Sequence, residues 1–596
     1  MSQAHRRGAL AAVAAVALAA AGTASAGAAS AAPPSGTGAG KAPKAAFTLT
    51  IAHNNDGESA LTPTEIDGGE YGGVARFASV VERIERESLS GRPAPGQSGK
   101  RGFLLLNSGD NYLAGAELNA SRQEGAPFYD AVAVDYLDYD ALAIGNHEFD
   151  FGPETLARFI SSVPDTTFVS ANLDVSGVPS LAALAADGSI AASTVVRERG
   201  ERIGVIGLTT PELPTISSPG DVVARPELVD ITQAQVDLLT DSGVDIIVLQ
   251  SHLQDINEEL ELVTELSGVD VVIGGGGAEL LADEDDLLVP GDTRLDDYPL
   301  YSTDADGVEV PVVTTLGSWR YVGALTVNFD RSGEVLSVDE DASGVRRVSS
   351  VGPDAVEPDP YLLENVEEPV QDYLDALEAN VVAQSQVVLD LQTVDVRTGE
   401  SNGGNLMADM QLAIATQQAA EFGTPVPDLA FHNGGGIRGN IDQPEGPITE
   451  ADTFRIAAFS NFVSVAPEYT AAQLKQLLET GAASYPAANG AFVQIAGASY
   501  TIDASRPAGD RITELTLDDG TEIISGGVVL DPTSTYAVAS NDFSLAGGDG
   551  YPAVDFVRLG VQYQQGLVTY LSEDLGGVVT AADYPRGGEG RITILP

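Results

Sequence analysis

The chain has 596 residues, with 87 Asp and Glu against 30 Lys and Arg, a formal net charge of −57 and no cysteine. Lack of cysteine excludes disulfides, thiolate metal sites, cysteine nucleophiles and a lipid-anchoring thiol. The acidic field excludes a nucleic-acid polymer as a large bound partner, while a small anionic substrate stays compatible if cations or local arginines offset that field.

Residues 1–26 begin with His5, Arg6 and Arg7, continue through an apolar run from Ala9 to Ala21, and close on small residues around Ala24, Ser25 and Ala26. Such a run is too short to span a bilayer, so it reads as a secretory signal, and the expectation is a secreted protein with no membrane anchor and no obligate protein partner. Residues 27–45, rich in small residues with scattered Pro and Gly, read as a disordered leader. The remainder of the chain is too long for one core and implies at least two domains.

From 46 to 350, short apolar runs alternate with helical stretches. FTLTIAH, FLLLNSGD, ALAIGNHE, IIVLQSH and VDVVIGG each run into Gly, Asn, Asp or His, as strands do when they deliver polar residues to loops at one end of an α/β sheet. Residues 351–385 read as a linker and connecting helix, with Val370, Tyr373, Leu374, Leu377 and Val381 at helical spacing and Pro369 in a first turn. A second, mixed domain spans 386–596, with a helix near Asn405 to Phe422 and Gly-rich loops.

Imidazole chemistry rests on five histidines, and His5 lies in the signal, which leaves His53, His147, His252 and His432. GNHEFD (145–150) sets Asn146, His147 and Asp150 after an apolar strand: an amide oxygen for a hard cation beside a carboxylate-supported general acid. Asp56 and Asp110 stand at two further strand ends. Singly, each acid is a turn or cap residue; together, in this order, they suggest one site.

These motifs resemble the secreted and periplasmic 5'-nucleotidases and cyclic phosphodiesterases. The likeness runs through NND (54–56), GGVAR (72–76), SGD (108–110), GNHEFD, RIGVIGLTTPE (202–212), SH (251–252), ESNGGNLMAD (400–409), NGGGIR (433–438) and SNDFSLAGGDGY (540–551). It implies a four-layer α/β/β/α calcineurin-like metallophosphoesterase domain, a connecting helix and a C-terminal mixed α/β nucleotide-binding domain. It also implies two divalent cations bridged by Asp110, with Asp56 on one and Asn146 and His252 on the other. His147, oriented by Asp150, would stabilise the transition state or protonate the leaving oxygen while a cation-activated hydroxide attacks phosphorus in line.

The chain departs from the family at three ligand positions. The first loop carries Asp56-Gly57-Glu58 where the family has Asp-x-His, and IGGGGAEL puts Gly276 and Ala278 where a Gly-Gly-His-x-His or Gly-Gly-His-x-Gln motif supplies two ligands. Two readings are open. Either the site is binuclear and oxygen-rich, with Glu58 in place of an imidazole and Glu279 or water in the remaining gap, which favours Mn²⁺, Mg²⁺ or Ca²⁺ over Zn²⁺; or one metal is weak or absent and the domain is catalytically poor.

In the second domain the resemblance implies that Arg397, Asn433 and Arg438 contact the nucleotide, Phe459 and Phe543 sandwich the base, Asn461 bonds its edge and Asp549 bonds the ribose. NGGGIRG also has dinucleotide-motif spacing at Gly434, Gly436 and Gly439, yet Pro444 soon after forbids the long helix that motif opens, so a loop is expected. The expected function is metal-dependent hydrolysis of nucleoside monophosphates, with 2',3'-cyclic nucleotides as further substrates. The alternatives are a catalytically weak nucleotide-binding protein or a phosphohydrolase for another small phosphoester.

Overall fold

The structure is a computed structural model that describes residues 44–438, 441–459 and 461–596. The signal segment, the leader up to residue 43, and Gly439 lie outside the described residues. Among the described residues no helix is long and apolar enough to cross a membrane.

Two mixed sheets stack face to face. The first runs Val335–Val338, Tyr321–Phe329, Phe47–Asn54, Arg101–Asn107, Ala141–Ala143, Phe168–Val169, Ile190–Ala191, with Gly344–Arg347 added beside Tyr321–Phe329. The second runs Leu300–Thr303, Glu309–Val313, Val271–Ile273, Ile246–His252, Glu201–Thr209, Ser193–Glu198. Leu49, Ile51, Leu104 and Leu106 from the first sheet share one buried cluster with Ile203, Val205, Val248 and Val271 from the second, so strands such as Phe47–Asn54 are buried on both faces. Helix Val74–Leu89 and helix Pro153–Ser161 cover the outer face of the first sheet, and helix Leu228–Asp241 and helix Ile256–Val263 cover the second. This is the expected α/β/β/α arrangement. Because Phe47–Asn54, Arg101–Asn107 and Ala141–Ala143 are parallel, as are Glu201–Thr209, Ile246–His252 and Val271–Ile273, their C-terminal loops meet at one end.

The connecting segment differs slightly from its periodicity. A π-helical turn at Leu363–Glu367 leads into helix Glu368–Ala379, with Pro369 in the first turn as expected, but Val381 opens strand Val381–Ser385. The strand pairs with Gly446–Thr449, and this edge contact takes Val381 out of the helix. Beyond it, sheet Val493–Ala496, Leu429–Asn433, Thr535–Asn541, Phe462–Thr470, Val557–Gln562 packs helix Asn402–Phe422 on one face and helix Ala471–Ala482 on the other. Ser401 caps the long helix by accepting from the Gly404 N–H, and Gly423, at φ 67, ends it in the left-handed region.

One buried acid makes stability depend on pH. Asp130, in the first turn of helix Tyr129–Leu137, is 0% exposed and neither carboxyl oxygen sits in a full hydrogen bond. Burial pushes its pKa up to about 7, with the Ser59 hydroxyl and its own N–H offsetting only part. The folded state therefore holds this proton more tightly than the unfolded chain, and that stabilisation, complete below about pH 4, is lost as pH rises through 7. Asp130→Asn, which never ionises, is expected to stabilise the protein at pH 8 by up to about 3 kcal/mol and to do nothing near pH 4. Thermal melts at both pH values check this; equal shifts at the two would refute it.

Candidate metal and nucleotide site

The loop after strand Phe47–Asn54 is held in an uncommon backbone shape. Asp56, Glu58 and Ser59 have φ of 50, 51 and 55, and Asp110 in the adjacent loop has φ 55, all left-handed for non-glycine residues. Cross-loop hydrogen bonds enforce it: Asp56 N–H donates to Gly109 O at 2.9 Å, Glu58 N–H to Asp110 O at 3.0 Å, and Ser318 N–H to Asp56 O at 2.7 Å. Gly57 has no space for a side chain, since a Cβ there would lie 2.8 Å from the Trp319 ring.

Asp56, Asp110 and His252, all buried, bring one ligand atom each to within 4.8 Å of one another. His252 Nδ1 lies 2.6 Å from the Ser108 carbonyl, which can only accept, so Nδ1 carries a proton. Nε2 then faces Asp110 Oδ2 at 3.0 Å and Asn146 Oδ1 at 3.1 Å. Three acceptor atoms converging in a buried space demand a cation between them, whether a proton on Nε2 or a metal ion. The donor set thus fits a divalent cation. Burial opposes charge on His252 and on Asp110, but each is the other's counter-charge, so the histidine pKa is raised and the aspartate pKa lowered. Burial raises that of Asp56.

Glu58 stands just outside this trio. Burial first, then the Asp56 carboxylate, push its pKa up to about 7. Glu279 does not reach into the gap at Gly276. Its carboxylate folds over Gly277 and faces the N–H groups of Glu279 and Ile256, at the start of helix Ile256–Val263. His53 and His432 are wholly buried inside strands, with pKa values pushed down to about 3 and about 4, and take no part.

His147 directly follows Asn146 and opens the short 3₁₀ turn His147–Phe149. Its N–H donates to Asp110 Oδ1 at 2.8 Å, and its Nδ1 meets Asp150 Oδ2 at 2.8 Å, leaving Nε2 toward the site. Burial opposes protonation, but Asp150 and Asp110 outweigh it and raise the pKa well above the ordinary value. Three supporting residues escaped the sequence reading. Ser217 Oγ donates to Asp150 Oδ1 at 2.8 Å. Glu148, wholly buried, accepts from the N–H groups of Asp110, Asn111 and Gly145 at 3.0, 2.7 and 2.8 Å and so ties two ligand loops together. Gln254 Nε2 donates to Asn146 Oδ1 at 2.9 Å. Glu148 lies inside a quoted motif and Gln254 beside one, but neither had a signal of its own there, and Ser217 lies outside every quoted motif.

A cavity of about 310 Å³ joins this cluster to the second half of the chain. Asn146, His147 and Asp150 form one wall, and Arg397, Asn433, Arg438, Phe459, Asn461, Phe543 and Asp549 form the other, so all seven expected nucleotide contacts converge. Asn433 Nδ2 donates to Asp549 Oδ2 at 2.8 Å. Arg438 lies over the Phe459 ring at 4.7 Å, and Arg397 Nε is buried without a hydrogen-bond partner. Burial and the neighbouring Arg438 charge lower the Arg397 pKa, and Asp549 offsets part of this. NGGGIR is strand Leu429–Asn433 followed by a short 3₁₀ turn at Gly434–Gly436, the expected loop.

Residues 381–555 match the family described as the 5'-nucleotidase C-terminal domain. A 5'-nucleotidase of Diplobatis ommata is 29% identical over 525 residues, covering 86% of this chain and 85% of its own. The trifunctional nucleotide phosphoesterase protein YfkN of Bacillus subtilis is 29% identical over 532 residues, covering 85% of this chain and 32% of its own. The crystal structure of a 5'-nucleotidase precursor from Thermus thermophilus superposes with a TM-score of 0.67 and 32% identity, over 92% of this chain and 99% of that one. A shared C-terminal domain and a shared fold along nearly the whole of a solved relative make this chain a member of the 5'-nucleotidase family.

Proposed function

We propose that the chain hydrolyses nucleoside monophosphates to nucleoside and phosphate, with 2',3'-cyclic nucleotides as further substrates, using two divalent cations. The observation that carries this reading is the single cavity in which Asn146, His147 and Asp150 face Arg397, Arg438, Phe459, Phe543 and Asp549. Asn146 in the first wall lies 3.1 Å from His252 Nε2, so a nucleotide bound with its phosphate against Asn146 and His147 would bring that phosphate next to the Asp56, Asp110 and His252 cluster. The nucleotide-directed names of the similar proteins support the same substrate class. On this reading residues 46–350 carry the metal site, 351–385 connect, and 386–596 hold the nucleotide. The composition of residues 1–26 supports export and action outside the cell.

Asp56, Glu58, Asp110, Asn146 and His252 would hold the cations, an oxygen-rich set that favours Mn²⁺, Mg²⁺ or Ca²⁺ over Zn²⁺. When bound, such ions screen the phosphoryl oxygens and lower the pKa of the attacking water. Arg397 and Arg438 attract the anionic substrate into a chain of strongly negative charge. Phe459 and Phe543 offer aromatic faces to the base, a contact tolerant of base identity. Asp549, positioned by Asn433, accepts from a ribose hydroxyl, and Asn461 bonds the base edge. His147, held by Asp150 and raised in pKa, keeps a proton on Nε2 for the departing ester oxygen.

Phosphate release from AMP, followed with chelator and then with added Mn²⁺, Mg²⁺ or Ca²⁺, tests the reading. Release is expected only with metal. Phe543→Ala should raise KM for AMP about tenfold while sparing ribose 5-phosphate, in line with a stacking loss of about 1–3 kcal/mol. No release with any metal would leave a nucleotide-binding protein, and an unchanged KM in Phe543→Ala would point to another phosphoester.

A further inference from the structure

The loop Gly274 to Glu279 supplies no ligating side chain at Gly276 or Ala278, where relatives are expected to place two ligands, and its backbone shows why none can be restored at Gly276. Gly276 has φ +89, and a Cβ on it would lie 1.9 Å from Leu253 O, 3.0 Å from His252 Nε2 and 3.1 Å from Gln254 Nε2. The space a side chain at 276 would need is therefore already taken. Gly276 contributes its N–H instead, donating to Asp56 Oδ2 at 3.0 Å.

The Leu253 carbonyl fills the Cβ position itself, and the end of the Gln254 side chain closes the space just beyond it. That end lies beside His252 Nε2, and its amide is 2.9 Å from Asn146 Oδ1, while Asn146 Oδ1 is 3.1 Å from His252 Nε2. An amide has a donor and an acceptor end, exchanged by a half-turn about the last side-chain bond. With no cation present, the donor end satisfies the Asn146 oxygen. With a cation shared by Asn146 and His252, that oxygen turns to the ion, and the amide is left with its acceptor end to offer. We propose that Gln254 is a metal-ligating residue of this chain, its Oε1 replacing the side chain missing at Gly276 for the cation held by Asn146 and His252. The inference rests on the proposed two-cation reading and goes beyond the ligands that the family resemblance implies.

An amide oxygen is a hard donor, so the substitution of a glutamine for an imidazole shifts this cation site toward Mn²⁺ and Mg²⁺ and away from Zn²⁺. It also explains how the chain tolerates a glycine at 276: the ligand comes from the strand end that already carries His252, two residues away, and is oriented by the same backbone.

The test is equilibrium dialysis of the full chain against Mn²⁺, with bound metal measured per chain, on wild type, Gln254→Leu and Gln254→Glu. Gln254→Leu keeps the volume and removes the oxygen; Gln254→Glu keeps an oxygen donor. The expected result is two ions per wild-type chain, a weakening of one of them by at least tenfold in Gln254→Leu, and retention of both in Gln254→Glu. Mn²⁺ paramagnetic resonance of the two-ion state should lose its spin-coupled signal in Gln254→Leu alone. Two equally tight ions in Gln254→Leu would overturn the role of Gln254 and leave the two-cation reading intact. No bound ion in wild type would overturn both. If Gln254→Leu does not fold, Gln254→Ala takes its place with the same outcomes.

Discussion

Asp110→Asn is expected to lower phosphate release from AMP by at least about 10³-fold, equal to about 4 kcal/mol of lost transition-state stabilisation, while the fold stays intact. Asp110 links the two histidines of the cluster: Oδ1 accepts from the His147 N–H at 2.8 Å and Oδ2 faces His252 Nε2 at 3.0 Å. An amide in its place removes the negative charge that two cations would share and turns a donor toward one of them. The backbone should tolerate the change, because φ of 55 at Asp110 is a conformation that asparagine adopts about as readily as aspartate. Steady-state kinetics with saturating Mn²⁺, alongside a thermal melt, check the result. Activity within tenfold of wild type, at unchanged melting temperature, would remove Asp110 from the centre of the site.

Glu148→Gln should be nearly as damaging although Glu148 touches no substrate. Its two oxygens accept from Asp110 N–H, Gly145 N–H, Asn111 N–H and the Asn111 side chain, at 3.0, 2.8, 2.7 and 3.1 Å, in a fully buried position. Four donors converge on one carboxylate, so an amide necessarily sets its own N–H groups against at least one of them. Each buried donor left without a partner costs about 1–3 kcal/mol, and the loss falls on the backbone that aims Asp110 and Asn146. The expected outcome is a melting temperature lowered by several degrees together with a loss of activity of about 10²-fold, larger than any loss in KM. The spacing is unforgiving, since a Cβ on Gly145 would already lie 2.2 Å from Asp110 Oδ1. A variant of wild-type stability and activity would show that the loops hold their shape without this knot.

The two predictions separate what local sequence can signal from what it cannot. Asp56, Asp110, Asn146, His147 and His252 stand at the ends of apolar runs, and apolar strands with polar ends are enough to mark them as a set. The residues in the second half, Arg397, Arg438, Phe459, Phe543 and Asp549, were legible only through resemblance, because a lone aromatic or arginine has no periodic context of its own. Glu148 hid in plain view: an acid between a histidine and an aromatic looks like a surface residue until the fold buries it. Glu279 misled in the opposite direction, since its position after the glycine run suggested a ligand while the nearby helix start offers its carboxylate backbone N–H groups instead.

Sequence by itself determined the alternation of strands and helices, the order of the loops that carry Asp56, Asp110, Asn146 and His252, and, set beside the family resemblance, the departure at Glu58, Gly276 and Ala278, because strand patterning, motif order and residue counts are properties of the chain as written. Tertiary structure alone decided which groups meet. Left-handed turns at Asp56, Glu58 and Asp110 are held by hydrogen bonds between loops roughly 50 residues apart, such as Asp56 N–H to Gly109 O and Glu58 N–H to Asp110 O, and no local propensity specifies them. The same is true of Gln254, whose amide reaches the space beside Gly276 only because two parallel strands end side by side. A missing ligand is a fact of sequence; what stands in its place is a fact of packing.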